Sequence, residues 1–138
     1  MRRRGKLLGL YLPPALMYGL IFCLSSLRTD QFPRSFLSIP DIVPHFVEYF
    51  LLAFLIRRIF TERPGWSAAL LSFLVSGLLG FLDELHQLGV PTRTFSWTDI
   101  GSDLAGISAA IFLFFLCSRA RALKFERRSE ERDDPSTL

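Results

Sequence analysis

The chain has 138 residues, half of them hydrophobic and about a fifth charged, with a net charge of +3. That length sets one domain. The charges gather at the ends and in short connections, and the stretches between are apolar all round. A soluble domain would instead alternate polar and apolar residues along its helix faces. The basic ends do not point to nucleic acid, because the C-terminal tail also carries Glu126, Glu130, Glu131, Asp133 and Asp134.

Four apolar runs predict an all-α, polytopic membrane protein with four helices in a compact bundle. The first, 7–27, is long enough to cross a bilayer's hydrocarbon layer. Pro13 and Pro14 are expected to kink it or delay its start. It is longer than a signal-peptide core and lacks a small-x-small cleavage site, so an uncleaved span is expected. The second run, 42–60, follows a loop with Pro33 and Pro40; Asp41 is its expected N-cap, with Pro44 in the first turn. The third, 66–85, opens at Trp66 and carries the ladder Ser72, Ser76, Gly80. The fourth, 99–117, carries Ser102, Gly106, Ala110, and Ser96-x-x-Asp99 before it matches a broad capping box. The two ladders predict close packing of the third helix on the fourth. Residues 1–118 form the transmembrane domain. Residues 119–138 are a charged cytoplasmic tail, expected to extend the last helix and then fray. Cys23 and Cys117 are expected in the core rather than in a disulfide or metal pair.

Thirteen of the sixteen Lys and Arg fall at the N-terminus, the 57–66 turn and the tail. The positive-inside rule therefore places both termini in the cytoplasm and the 28–41 and 88–98 loops outside.

The polar residues cluster toward those two loops. Asp83 and Glu84 close the third run, with His86 and Gln87 beyond, while His45, Glu48 and Tyr49 share one face of the second. Adjacent carboxylates where water is scarce need a cation, a proton or a hydrogen-bond network. Arg93, His86, His45 and a bound metal are the candidate cations. The candidate catalytic set is Glu84, Asp83, His86, Glu48 and His45. Arg93, Gln87, Tyr49 and Asp103 are the candidate substrate-binding residues. Asp83, Glu84, His86 and Gln87 span about 160° of helix, too wide for all to face one ligand. Asp99 is explained by its place in the first turn of its helix. His45-x-x-Glu48 has metal-ligand spacing, so a divalent metal is a candidate cofactor, although nothing selects which one.

Ser25-Ser26, His45-Phe46-x-Glu48-Tyr49-Phe50, Asp83-Glu84-x-His86-Gln87, Pro91-x-Arg93-x-Phe95-Ser96, Asp99 and Gly106 together resemble the VanZ-like family of small bacterial membrane proteins. The family often has Lys where this chain has Ile42, and Asn where it has Asp103. The resemblance implies a multi-pass protein of the bacterial cytoplasmic membrane linked to the cell envelope, and a link to teicoplanin resistance. It implies no reaction. The functional expectation is an outward-facing polar pocket that binds or processes a lipid or lipid-linked head group. The alternative is a non-enzymatic envelope-binding or structural module whose polar residues only fix helix packing or a partner interface.

Overall fold

The computed structural model describes residues 2–33, 38–63 and 65–133, with no strand among them. Four helices follow in order: α1 (Arg2–Ser25), α2 (Ile42–Ile59), α3 (Gly65–Gln87) and α4 (Trp97–Asp133), with a short 3₁₀ turn at Thr29–Gln31. Three stretches are long and apolar enough to cross a membrane: Leu7–Ser25, Gly65–Gln87 and Trp97–Phe125. The remaining helix, α2, has 18 residues and carries Glu48, Arg57 and Arg58.

α2 is nevertheless the centre of the bundle and packs on all three other helices, most extensively on α4. Its buried residues His45, Tyr49, Leu52, Ala53, Ile56 and Arg57 form one helical stripe. Ile21 of α1 and Ile107 and Ala110 of α4 close the core around it. The polarity is inverted relative to a soluble protein. Ser25, Ser72, Ser76, Asp83, Glu84, Gln87 and Asp103 are buried, while Leu16, Leu51, Leu74, Leu78 and Phe112 are exposed. Lipid contact accounts for that surface, because an apolar exterior costs nothing where the surrounding solvent is hydrocarbon.

The small-residue ladders behave differently from expectation. Ser72, Ser76 and Gly80 are buried as expected, and α3 does pack on α4. The closest approach, however, is between α4 and α2. A Cβ at Gly106 would lie 2.3 Å from the Phe46 carbonyl oxygen and 3.0 Å from the Phe50 nitrogen, both α2 backbone atoms. Ser102, one turn earlier, donates its hydroxyl to the Ile42 carbonyl. The ladder of α4 is therefore a seat for α2. Gly80 of α3 instead faces the Asp103 carboxylate and the Tyr49 ring.

Other local expectations also shift. Pro13 and Pro14 lie inside α1, whose start is not delayed. Asp41 precedes α2 but has helical dihedrals and makes no side-chain cap. Pro44 occupies the first turn, where no N–H is needed. Cys23 and Cys117 are free and exposed rather than in the core, because on a lipid-facing surface an apolar run need not be buried. α4 continues unbroken through 119–133; the fraying expected beyond falls on residues 134–138, outside the described residues.

Candidate functional site

The α1–α2 and α3–α4 connections lie at the same end of the bundle and are tied together. The Thr29 N–H donates to Thr92 Oγ1 at 3.0 Å, and the Thr29 hydroxyl to the Thr92 carbonyl at 3.1 Å. Thr92 has φ 75°, a left-handed conformation that a β-branched residue rarely adopts, and both of these bonds hold it.

Beneath the loops each carboxylate reaches a different helix. Asp83 (α3) accepts from the Ser25 hydroxyl of α1 at 2.6 Å and from the Gln87 amide at 3.3 Å. Its neighbour Glu84 points about 100° around the helix, toward α4, where Oε2 accepts the Ser96 N–H at 2.9 Å. Glu84 is fully buried, and Oε1 finds no hydrogen-bond partner among the described residues. Asp103 (α4) meets His45 (α2), with Oδ1 3.0 Å from Nδ1. The other imidazole nitrogen, Nε2, lies 3.9 Å from Asp99 Oδ2.

The start of α4 explains how Asp99 comes to face His45. Ser96 is the N-cap, and its hydroxyl accepts the Asp99 N–H at 3.2 Å. A full capping box would return the Asp99 side chain to the Ser96 N–H. Glu84 takes that N–H instead, so the Asp99 carboxylate is free to turn toward the imidazole.

A cavity of about 470 Å³ opens at the loop end. Its walls include His45 and Glu48 from α2, Asp83 and Gln87 from α3, Asp99 at the start of α4, and Arg93 and Thr94 from the connecting loop. Arg93 donates through Nε to the Leu27 carbonyl at 3.4 Å and lies over the Phe32 ring. Among the described residues it forms no ion pair with Glu84 or Asp83, so Arg93 is not the cation that compensates them.

Five of the nine residues singled out by sequence thus line one cavity: His45, Glu48, Asp83, Gln87 and Arg93. Glu84, Tyr49 and Asp103 are buried behind the wall. The Tyr49 hydroxyl and Asp103 Oδ2 have no hydrogen-bond partner among the described residues. His86 faces α1, with Nε2 2.9 Å from the Ser26 hydroxyl and its ring stacked on Phe22. The wide arc of the Asp83–Gln87 group is divided among neighbouring helices, as the helical geometry requires. Ser25, Ser96 and Asp99 were not among the nine. Each carries a signal in the sequence: Ser25 and Ser96 belong to the family-like motifs, Ser96 also opens the capping pattern, and Asp99 lies a single turn before Asp103 on the same helix face.

His45, Glu84 and Asp99 can each offer a donor atom within 4.8 Å of the others, so these three residues could hold a metal.

Exposed apolar helices around a buried polar cluster define a small helical membrane protein with a charged pocket at one end. The family model described as VanZ/LLP1 matches residues 10–118, and the chain belongs to that family. No curated protein and no solved structure matches it.

Proposed function

We propose that this chain is a four-span protein of the bacterial cytoplasmic membrane, with both termini in the cytoplasm. In this reading its outward-facing pocket takes the head group of a lipid or lipid-linked molecule, and a contribution to teicoplanin resistance belongs to the same proposal. The observation that carries the reading is the cavity itself. It is open at the loop end, of head-group size, and its described lining combines Arg93 and His45 with the carboxylates of Asp41, Glu48, Asp83 and Asp99.

Four spans are favoured over three because α2 is central. A helix packed among three candidate membrane-crossing neighbours is expected to lie in the membrane with them. Its outward residues Val43, Val47 and Leu51 are apolar and exposed. Of its charges, Arg58 is exposed in the last turn, where a long side chain reaches the interface, and Arg57, also in the last turn, is buried with its guanidinium over the Phe114 ring.

The wall chemistry supports one ligand class. Arg93 retains guanidinium N–H groups for a phosphate or carboxylate. The facing carboxylates accept from hydroxyls or an amine. A phosphorylated head group bearing hydroxyl or amino donors satisfies both. If the pocket also processes the group, Glu48, Asp83 and His45 are the acid/base residues that can touch it, while Glu84 and Asp103 act by positioning.

The test is native mass spectrometry of detergent-purified protein with phosphatidylglycerol against phosphatidylcholine of the same chains. The expected result is selective binding of the former, reduced about tenfold or more by Arg93→Gln but not by Arg63→Gln at the opposite end, since a charged hydrogen bond of ~1.5–3 kcal/mol is lost. Equal binding of both lipids, unchanged by Arg93→Gln, would leave the polar residues with a packing role only.

A further inference from the structure

We propose that His45, Glu84 and Asp99 bind a divalent first-row transition metal of the Zn²⁺ class at the inner wall of the cavity. The inference goes beyond the head-group reading and does not depend on it.

Four observations converge. First, three helices deliver one donor each, and the donor atoms lie within 4.8 Å of one another. Two ligands on one Zn²⁺ sit about 3.0–3.5 Å apart when each bond is about 2.1 Å. Side-chain adjustments of about an ångström or less would bring this set to that geometry.

Second, the His45 Nε2 to Asp99 Oδ2 separation of 3.9 Å is too long for a hydrogen bond. It suits two atoms that converge on a third between them.

Third, Glu84 is fully buried, with one oxygen occupied by the Ser96 N–H and the other without a hydrogen-bond partner among the described residues. A buried carboxylate oxygen without a donor is costly, and a cation removes that cost.

Fourth, Asp103 Oδ1 lies 3.0 Å from His45 Nδ1. Asp103 therefore backs the Nδ1 side of the ring, and the other nitrogen, Nε2, lies away from it on the side of Asp99. Metal-ligating histidines are oriented by this same arrangement, with a carboxylate behind the imidazole.

The donor set sorts the metal. One imidazole beside two carboxylates suits Zn²⁺ or Mn²⁺ better than Ca²⁺ or Mg²⁺, which take oxygen ligands. His45 and Asp99 also line the open cavity. An ion there has an entry path and coordination positions for water or for an oxygen of a bound head group.

The experiment uses the full chain, purified without a polyhistidine tag, treated with EDTA and titrated with Co²⁺ in lipid-free, phosphate-free detergent buffer. The expected result is saturation at one equivalent, with visible d–d absorption that added Zn²⁺ abolishes. X-ray absorption at the cobalt edge should contain a single imidazole. Asp99→Asn should weaken binding at least tenfold, and Asp99→His, which restores a donor, should retain it. Asp103→Asn should weaken it by about 10–100-fold through loss of the imidazole's orientation. Asp30→Asn, on the 3₁₀ turn, should leave it unchanged. A folded wild-type protein with no saturable Co²⁺ site would overturn the proposal, as would bound Co²⁺ without imidazole. Wild-type affinity in a folded Asp99→Asn protein would do the same. Because no lipid is present, a negative result leaves the head-group assay untouched, and a negative lipid assay leaves this one untouched.

Discussion

Gly106→Ala adds one carbon atom at the tightest point of the bundle. Its Cβ would sit 2.3 Å from the Phe46 carbonyl oxygen and 3.0 Å from the Phe50 nitrogen. Carbon and carbonyl oxygen meet comfortably at about 3.3 Å, so α2 and α4 must part locally by about 1 Å. Neither obstacle can rotate away, because both belong to α2 backbone. Overpacking of this kind costs about 1–3 kcal/mol, and a backbone obstacle belongs at the upper end. Alanine returns up to about 1 kcal/mol through helix propensity. The expected net loss is about 1–2 kcal/mol, a fall in melting temperature of roughly 4 °C for a chain of this size. Gly101 supplies the control. It lies on the same helix with nothing within 4 Å of an added Cβ, so Gly101→Ala receives the propensity gain alone and should melt at or above wild type. Both variants are compared with wild type in one detergent at one scan rate. If Gly106→Ala melts as high as Gly101→Ala, α2 and α4 do not meet through Gly106.

Topology is checked by cysteine labelling in a Cys23→Ser, Cys117→Ala background. Thr94→Cys should react with an impermeant reagent on intact cells and Glu62→Cys only after lysis; the reverse pattern would invert the orientation and turn the pocket inward. Ser25→Ala removes the hydroxyl that donates to buried Asp83 and should cost about 1–3 kcal/mol, measured as a fall in melting temperature that Ser25→Thr largely avoids. Glu84→Gln keeps a carbonyl oxygen for the Ser96 N–H, so its melting temperature should stay close to wild type while Co²⁺ affinity drops at least tenfold. A large loss of stability in Glu84→Gln would mean that the charge itself holds the fold. Adding Arg93→Gln should not rescue it, since Arg93 bonds to the Leu27 carbonyl rather than to Glu84.

Much of this architecture was legible because lipid leaves a plain mark on sequence. Long apolar runs bounded by charge locate α1, α3 and α4, and the polar residues near one pair of loops locate the cavity. What escaped depended on which neighbour each face meets. Ser102, Gly106 and Ala110 mark a face permitting close approach, yet small residues do not say which helix approaches, and it is α2. The apolar stretches around Cys23 and Cys117 read the same whether they face a core or a bilayer. Asp99 was explained by its place in the helix's first turn, and that explanation was incomplete. The cap hydroxyl is in place, but the Ser96 N–H is claimed by Glu84, twelve residues earlier. No local pattern could reveal that exchange, which frees the carboxylate for His45.

Architecture and site are also made of the same bonds. Ser25–Asp83 joins α1 to α3, Ser96–Glu84 joins α3 to α4, and His45–Asp103 joins α2 to α4. Each is a contact between a carboxylate and a group on another helix, in surroundings where water does not compete. All four helices are thereby pinned at the loop end, while at mid-bundle they meet through small residues and apolar side chains. A purely structural network would gain most from carboxylates satisfied on both oxygens. Among the described residues Glu84 Oε1 and Asp103 Oδ2 have no hydrogen-bond partner, and His45 and Asp99 sit at ion-pair rather than hydrogen-bond distance. Tyr49 Oη, Glu84 Oε1 and Asp103 Oδ2 lie near the cavity, while Ser76 Oγ and Arg57 Nη1, also without a partner among the described residues, lie away from it. At the loop end, the proposed cation would give Glu84 Oε1 the partner that packing does not supply.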